Sequence, residues 1–275
     1  MTAVELFWGG PALKMVLTAT VVVITSLAVE RSGPFVGALI GAAPTAAGAA
    51  YTILALEHSA DFIAASAVGS VAVNAAVAIF AATYAAAAQR HGLFVSLGVA
   101  SAVWLAAAAA LRSVDWTPLS AVTLNVVVFA VTIPLTWRYR AGGVPAKFRR
   151  TRFDIPLRAL AAAIVVAVVT TASSSIGSFA SGMFALFPII LGSSIVIMHP
   201  RIGGKVTASM LAHAQLPLIG LGLGFLVVHY LVAPIGVWGA LVVGITANIA
   251  WSGGLLVVRL QILKRSGATS SPAAP

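Results

Sequence analysis

Residues 41–50 read GAAPTAAGAA and lie near the middle of an uncharged run from Ser32 to Leu56. The run is long enough to cross a bilayer, because about 20 apolar residues span the hydrocarbon core. Pro44 lacks an amide N–H and displaces the carbonyl four residues before it, so a helix is interrupted there. Freed backbone groups are tolerated in a membrane only where protein, water or a ligand meets them. This stretch therefore predicts a broken transmembrane helix beside a site.

The composition places the whole chain in the membrane class. Of its 275 residues, 60% are hydrophobic and only 8% are charged, and the mean hydropathy is +1.06. In soluble proteins, roughly a quarter of all residues are charged. The apolar runs are long and continuous, which predicts an all-α polytopic membrane protein and not a barrel of short alternating strands. Cysteine is absent, so disulfides and thiolate metal sites are excluded, and no cofactor is expected.

Nine transmembrane spans are predicted, at roughly 12–29, 33–56, 62–88, 92–111, 117–137, 155–173, 177–198, 206–230 and 236–258. If the basic loop 138–154 is cytoplasmic, only Lys14 and Arg112 of the 16 basic residues fall outside. The net charge of +10 is then explained by basic residues on the cytoplasmic side of the membrane, and no nucleic-acid partner is expected. The N-terminus is predicted outside and the C-terminus in the cytoplasm.

A shift of the chain by 144 residues aligns GPFVGALIGAAPTAAG (33–48) with GSFASGMFALFPIILG (177–192). Pro44 then meets Pro188, and the same shift pairs Lys14 with Arg158. We expect two four-helix repeats in a 4+1+4 arrangement, with helices 2 and 7 interrupted. The predicted units are 1–112 (first repeat), 113–154 (linker helix and basic cytoplasmic loop), 155–260 (second repeat) and 261–275 (disordered cytoplasmic tail). The odd number of spans before the second repeat inverts it relative to the first.

Inverted repeats with paired interrupted helices are typical of secondary transporters. Each half, with an early basic residue and a later helix that contains Gly and Pro, also loosely resembles a group of short bacterial inner-membrane proteins of unknown function. The resemblance implies one four-helix unit per half and no particular substrate. Together with the arginine and alanine bias, it leads us to expect a bacterial inner membrane.

The candidate substrate site consists of residues around the two prolines and of amides near the span centres: Pro44, Thr45, Asn74, Asn125, Pro188, Ser193, Ser194, Gln215 and Asn248. A buried amide in lipid must face protein or a polar cavity, so each is a candidate ligand-binding group. Plain proline kinks and interhelical hydrogen bonds are the structural alternatives.

Three further residues carry charge or titrate near neutral pH. His213 is the candidate for proton coupling, although a structural hydrogen bond is the alternative. Lys14 and Arg158 are candidates for guiding an anion or a lipid headgroup, with snorkelling to the headgroups as the alternative.

The sequence therefore predicts a secondary transporter or exporter of a small neutral or anionic solute, working by alternating access around a midplane site. A flippase or scramblase for an anionic lipid headgroup and a non-transporting membrane scaffold are the alternatives. No Walker, HExxH or GxSxG motif occurs, so an enzyme is not expected. The expected partners are the lipid bilayer and a small-molecule or lipid substrate, and oligomerisation is left open.

Overall fold

The computed structural model describes residues 34–41, 45–141 and 177–269, together with Thr20 and Ile24. All regular elements in these ranges are α-helices: α1 (Pro34–Gly41), α2 (Thr45–Glu57), α3 (Ala60–Ala87), α4 (Leu93–Arg112), α5 (Pro118–Trp137), α6 (177–185), α7 (Ile189–Ile202) and the segment Gly204–Thr269. That last segment is two helices that meet at Gly236, where φ is 75° and ψ is 167°. We call them α8 (204–235) and α9 (237–269).

Within the described residues, five helical segments are long and apolar enough to cross a membrane: Ala60–Ala87, Leu93–Arg112, Pro118–Trp137, Gly177–Ile202 and Gly204–Arg265. The last has 62 residues. A continuous helix of that length would reach roughly 93 Å, about three times the hydrocarbon thickness. The turn at Gly236 divides the segment into two helices, each of which can cross the membrane once. The chain is therefore a multi-pass membrane protein.

Helix α3 forms the centre of the molecule. Its residues from Ser66 to Ala78 are all buried, and α4, α5 and α8 pack around it. Large apolar side chains on the outer helices remain exposed, for example Phe94 of α4, Leu119 of α5 and Val242 of α9. In a multi-pass protein this arrangement places the small-residue helix inside and the large apolar side chains against lipid.

Helices α3 and α8 run antiparallel, as three hydrogen bonds between them show. His229 Nδ1 lies 2.9 Å from the Ala64 carbonyl oxygen. Further along α3, Asn74 donates to the Leu218 carbonyl at 2.9 Å, and Gln215 donates to the Ala78 carbonyl at 3.0 Å. The partner residue number falls as the number along α3 rises, so the chains run in opposite directions. Asn74 contacts the residue that lies 144 positions later in the chain.

The starts of α3 and α8 are also separated by 144 residues. Ala60 opens α3 and Gly204 opens α8. The residues before α3 and α8 differ in backbone conformation. Ser59 is extended and its hydroxyl accepts from the Phe62 N–H, whereas its counterpart Gly203 has φ 85°. The spacing seen in the sequence thus recurs in the secondary structure.

The second predicted interruption is visible at residues 186–188, between α6 and α7. There the chain leaves the helix, and Pro188 serves as N-cap of α7 with φ −76° and ψ 57°. The corresponding residues 42–44, including Pro44, lie outside the described residues. So do the predicted span 155–173, the span 12–29 except Thr20 and Ile24, Lys14, Arg158 and most of the loop 138–154. The described helices do not establish nine spans.

The C-terminal segment from residue 261 stays a predicted tail, and α9 is described as far as Thr269. No proline follows α9 until Pro272. Residues 270–275 lie outside the described residues.

The two ends of the helical bundle differ in charge. At one end α3 approaches α8, since a Cβ at Gly204 would meet the Ala88 carbonyl, and Arg90 and Lys205 lie close by in the chain. At the opposite end of α3, Glu57 and Asp61 flank the turn between α2 and α3. We call these the cationic end and the acidic end.

Candidate functional site

Two of the candidate amides, Asn74 and Asn125, are bonded to each other and to backbone. Asn74 Nδ2 donates to Asn125 Oδ1 at 3.0 Å and to the Leu218 carbonyl at 2.9 Å. Asn125 Nδ2 donates to the carbonyls of Val71 and Ala121, at 2.7 and 2.8 Å. These bonds join α3, α5 and α8 at mid-height. The geometry matches the interhelical alternative, although Asn74 Oδ1 has no partner among the described residues.

Gln215 is likewise held by protein groups. Its Oε1 accepts from Thr132 of α5 at 2.9 Å, while its Nε2 donates to the Ala78 carbonyl of α3 at 3.0 Å. The side chain is fully buried. Gln215 therefore uses both ends of its amide to connect three helices, as the interhelical alternative predicts.

Asn248 has a different environment. Its side chain is 1% exposed, and neither Oδ1 nor Nδ2 has a hydrogen-bond partner among the described residues. It lines a cavity of about 40 Å³ between α2, α8 and α9, which we call the Asn248 cavity. Leaving a buried amide unpaired costs about 1–3 kcal/mol. The cavity has room for a few water molecules or a small polar group, since one water needs roughly 10–15 Å³.

The walls of the Asn248 cavity are made of small and aromatic residues. They include Gly48, Tyr51, Thr52, Gly224, Phe225, Gly244 and Ile245. Tyr51 is oriented by a hydrogen bond of 2.7 Å to Ser70, whose hydroxyl donates to the Gly182 carbonyl at 2.8 Å. Gly224 and Gly244 bring α8 and α9 into direct backbone contact, because a Cβ on Gly224 would lie 2.8 Å from the Gly244 oxygen. This close approach keeps the cavity narrow.

A second cavity, of about 310 Å³, lies between α3, α4 and α7. We call it the Trp104 cavity. Its lining includes Phe80, Leu97, Ser101, Trp104, Leu105, Phe187, Pro188, Ile189, Gly192, Ser193 and Val196. The Trp104 and Phe187 rings meet edge to face at 5.0 Å. Trp104 is 1% exposed and its indole nitrogen has no partner among the described residues.

The two cavities occupy corresponding places 144 residues apart. Among their linings, the corresponding pairs are Gly48 with Gly192, Thr52 with Val196, Gly224 with Phe80, Leu241 with Leu97, Ile245 with Ser101 and Asn248 with Trp104. Phe80 lies six residues beyond Asn74 and Gly224 lies six residues beyond Leu218, in antiparallel helices. The cavities are therefore displaced by roughly 18 Å along the helix axes. The Trp104 cavity lies toward the cationic end and the Asn248 cavity toward the acidic end.

The remaining predicted site residues fall in different places. Pro188 and Ser193 line the Trp104 cavity, where the Ser193 hydroxyl donates to the Ile190 carbonyl at 3.2 Å. Ser194 is fully buried and its hydroxyl has no partner among the described residues. Thr45 begins α2, and its side chain lies outside what the structure describes. The predicted residues are thus not gathered at one midplane point, because the hydrogen-bonded amides separate the two cavities.

His213 lies near the cationic end with cations as neighbours. Its ring meets the Phe35 ring edge to face at 5.7 Å, and the Arg259 guanidinium lies 4.1 Å from the centre of the Phe35 ring. Arg140 and Arg259 both act electrostatically on His213. No group of three or more acidic or histidine side chains that could hold a metal occurs in the described part of the chain.

Trp104, Tyr51 and the contacting pair Gly224 and Gly244 were not identified from the sequence. Trp104 had an available signal, because it is the residue that the 144-residue shift pairs with Asn248. Tyr51 had none, since its role depends on contacts between distant helices. Gly224 had one, because Gly220 and Gly224 have the GxxxG spacing that indicates close helix packing, although its partner Gly244 could not be named. Comparisons with protein-family models, with curated proteins and with solved structures give no match.

Proposed function

We propose that this protein is a small inverted-repeat secondary transporter that moves a small neutral or anionic solute by alternating access. In this proposal it lies in a bacterial inner membrane with nine spans in a 4+1+4 arrangement, its N-terminus outside and its C-terminus in the cytoplasm. The acidic end faces outward, and the cationic end faces the cytoplasm, as the positive-inside rule requires.

The observation that carries the proposal is the pair of cavities at corresponding positions. They lie on opposite sides of the Asn74–Leu218 contact and differ in volume, about 310 against about 40 Å³. Two similar halves in opposite orientation have two energy minima that exchange the roles of the cavities. The larger Trp104 cavity then represents the open side and the narrow Asn248 cavity the closed side.

The chemistry of the cavities supports the solute class. Asn248 contributes an amide whose donor and acceptor are both unpaired among the described residues. Neither lining contains an acidic or basic side chain in the described part of the chain. Such a site suits a neutral solute, or an anion bound by amide and helix N-terminal N–H groups, better than a metal cation.

The test uses the absence of cysteine in the chain. Ser101→Cys and Ile245→Cys are corresponding substitutions, one in each cavity. A membrane-impermeant maleimide should modify the cysteine at position 101 from the cytoplasm and the cysteine at position 245 from outside. The reaction at position 101 should be faster, because its cavity is larger. Ser59→Cys and Gly203→Cys, at the ends of α3 and α8, serve as controls for the orientation of the two halves.

The alternatives predict different outcomes. A scaffold without alternation predicts that a solute panel changes neither labelling rate, whereas a transported solute should raise one rate and lower the other. Labelling of both cavity positions from the same side would overturn the proposal, because the cavities would then not face opposite compartments.

A further inference from the structure

The Trp104 cavity has an apolar lining that suits an organic molecule better than water. Its walls are mainly aromatic and aliphatic, with Phe80, Trp104 and Phe187 as the rings and Leu97 and Ile189 among the aliphatic side chains. A volume of about 310 Å³ is ample for a substituted ring, since cavities on the order of 150 Å³ accommodate benzene. The size and lining therefore fit the apolar body of a small organic molecule.

One hydrogen-bond donor in the wall lacks an acceptor. The Trp104 indole can only donate, its nitrogen is buried, and it has no partner among the described residues. The side chain is 1% exposed and forms part of the cavity lining. The corresponding residue of the other cavity, Asn248, also has an N–H group without a partner in the described part of the chain. An unpaired donor therefore occurs at the same place in both cavities.

The first turn of α7 lies beside the same cavity, which Pro188, Ile189 and Gly192 line. Pro188, its N-cap residue, has no N–H and provides no side-chain cap. The Ile189 N–H bonds to the Phe187 carbonyl at 2.7 Å and the Gly192 N–H to the Pro188 carbonyl at 2.8 Å. The N–H groups of Ile190 and Leu191 have no acceptor within the helix. The positive end of the α7 dipole adds to the attraction for an acceptor.

We propose that the Trp104 cavity binds a ring-sized apolar molecule whose polar group is one hydrogen-bond acceptor, either a carboxylate or a neutral carbonyl. The apolar body lies against Phe80, Leu97 and Phe187, and the acceptor meets the Trp104 N–H near the positive end of the α7 dipole. The identification of this molecule as the transported solute rests on the proposed function. Equilibrium binding does not depend on transport, so the two proposals fail in different experiments.

The test is equilibrium binding to the purified full chain in lipid nanodiscs, with three probes of similar size. Benzoate carries an anionic acceptor, acetophenone a neutral one and ethylbenzene none. Trp104→Phe retains an aromatic ring and removes the N–H. We expect it to weaken binding of an acceptor-bearing probe roughly three- to tenfold, as loss of one hydrogen bond predicts, and to leave ethylbenzene binding unchanged. Tighter binding of benzoate than of acetophenone identifies a carboxylate, and the reverse identifies a neutral carbonyl.

A second variant tests the location without touching the donor. A Cβ on Gly192 would have no atom within 4 Å, so Gly192→Leu adds a side chain to the cavity from an unobstructed backbone position. It should weaken binding of all three probes, because it occupies part of the space they need. Gly98→Leu adds the same side chain to α4 at a position outside the cavity lining, again with nothing within 4 Å, and should leave binding unchanged. The proposal is overturned if Trp104→Phe weakens all three probes equally, if Gly192→Leu leaves binding intact, or if the folded wild-type protein binds none of them.

Discussion

Substitution of Asn125 and of Asn248 should change the stability of the protein in opposite directions. Asn125 and Asn248 are both buried amides in apolar helices, at 9% and 1% exposure. Asn125 uses its amide in three hydrogen bonds, whereas both polar atoms of Asn248 lack partners among the described residues. We predict that Asn125→Leu destabilises the protein and that Asn248→Leu, a substitution of similar size, stabilises it.

The magnitudes follow from these contacts. Asn125 makes two hydrogen bonds to α3 and one to Ala121 of its own helix. At about 0.6 kcal/mol each, the value for interhelical bonds in membranes, their loss should cost Asn125→Leu about 2 kcal/mol. Asn248→Leu loses no hydrogen bond to the described residues and removes a desolvation penalty of about 1–3 kcal/mol. The free energies of unfolding of the two variants should therefore differ by about 3–5 kcal/mol.

The assay is reversible unfolding of the purified protein in mixed micelles of increasing SDS fraction, followed by circular dichroism. Uptake of the solute into proteoliposomes supplies the second readout, and Asn248→Leu should lose it despite the higher stability. If Asn248→Leu destabilises the protein as much as Asn125→Leu does, the amide of Asn248 is paired within the protein. The assignment of that amide to a ligand is then refuted.

Two further predictions concern helix contacts. Gly224→Ala should lower the free energy of unfolding by about 1–3 kcal/mol, because its Cβ would lie 2.8 Å from the Gly244 carbonyl oxygen. Gly253→Ala is the matched control, because a Cβ there has no atom within 4 Å, and it should be neutral or slightly stabilising in the same unfolding assay. Thr132→Val keeps the side-chain shape but removes the donor to Gln215 Oε1, which should cost about 1–2 kcal/mol in SDS unfolding with no change in probe binding at the Trp104 cavity. Equal stability of Gly224→Ala and its control, or an unchanged unfolding midpoint for Thr132→Val, would contradict the corresponding contact.

Much of the secondary structure could be predicted from the sequence because it depends on local chemistry. Pro188 cannot donate within a helix, and the chain leaves the helix at 186–188 as expected. Gly236 tolerates a positive φ, and the helix turns there, at the predicted start of the last span. The 144-residue spacing was visible in the sequence and also relates the starts of α3 and α8.

The environment of each polar residue could not be predicted in this way. Asn125 and Asn248 look alike in sequence, since each is one amide in an apolar span. Their difference arises because Asn74, 51 positions before Asn125 in the chain, lies against it across the α3–α5 contact, whereas Asn248 faces a small cavity. Similarly, the Trp104 cavity combines residues of α3, α4 and α7 that are distant in the chain, such as Phe80 and Val196.

The sequence by itself thus determined where the chain crosses apolar surroundings and where its helices break, because hydropathy and the backbone limits of proline and glycine act within a few residues. Only the tertiary structure decided which buried amides are paired, which donors lack a partner among the described residues and where the two cavities lie. Those properties depend on how closely distant helices approach, and that distance is set by the small residues at each crossing, such as Gly224 and Gly244.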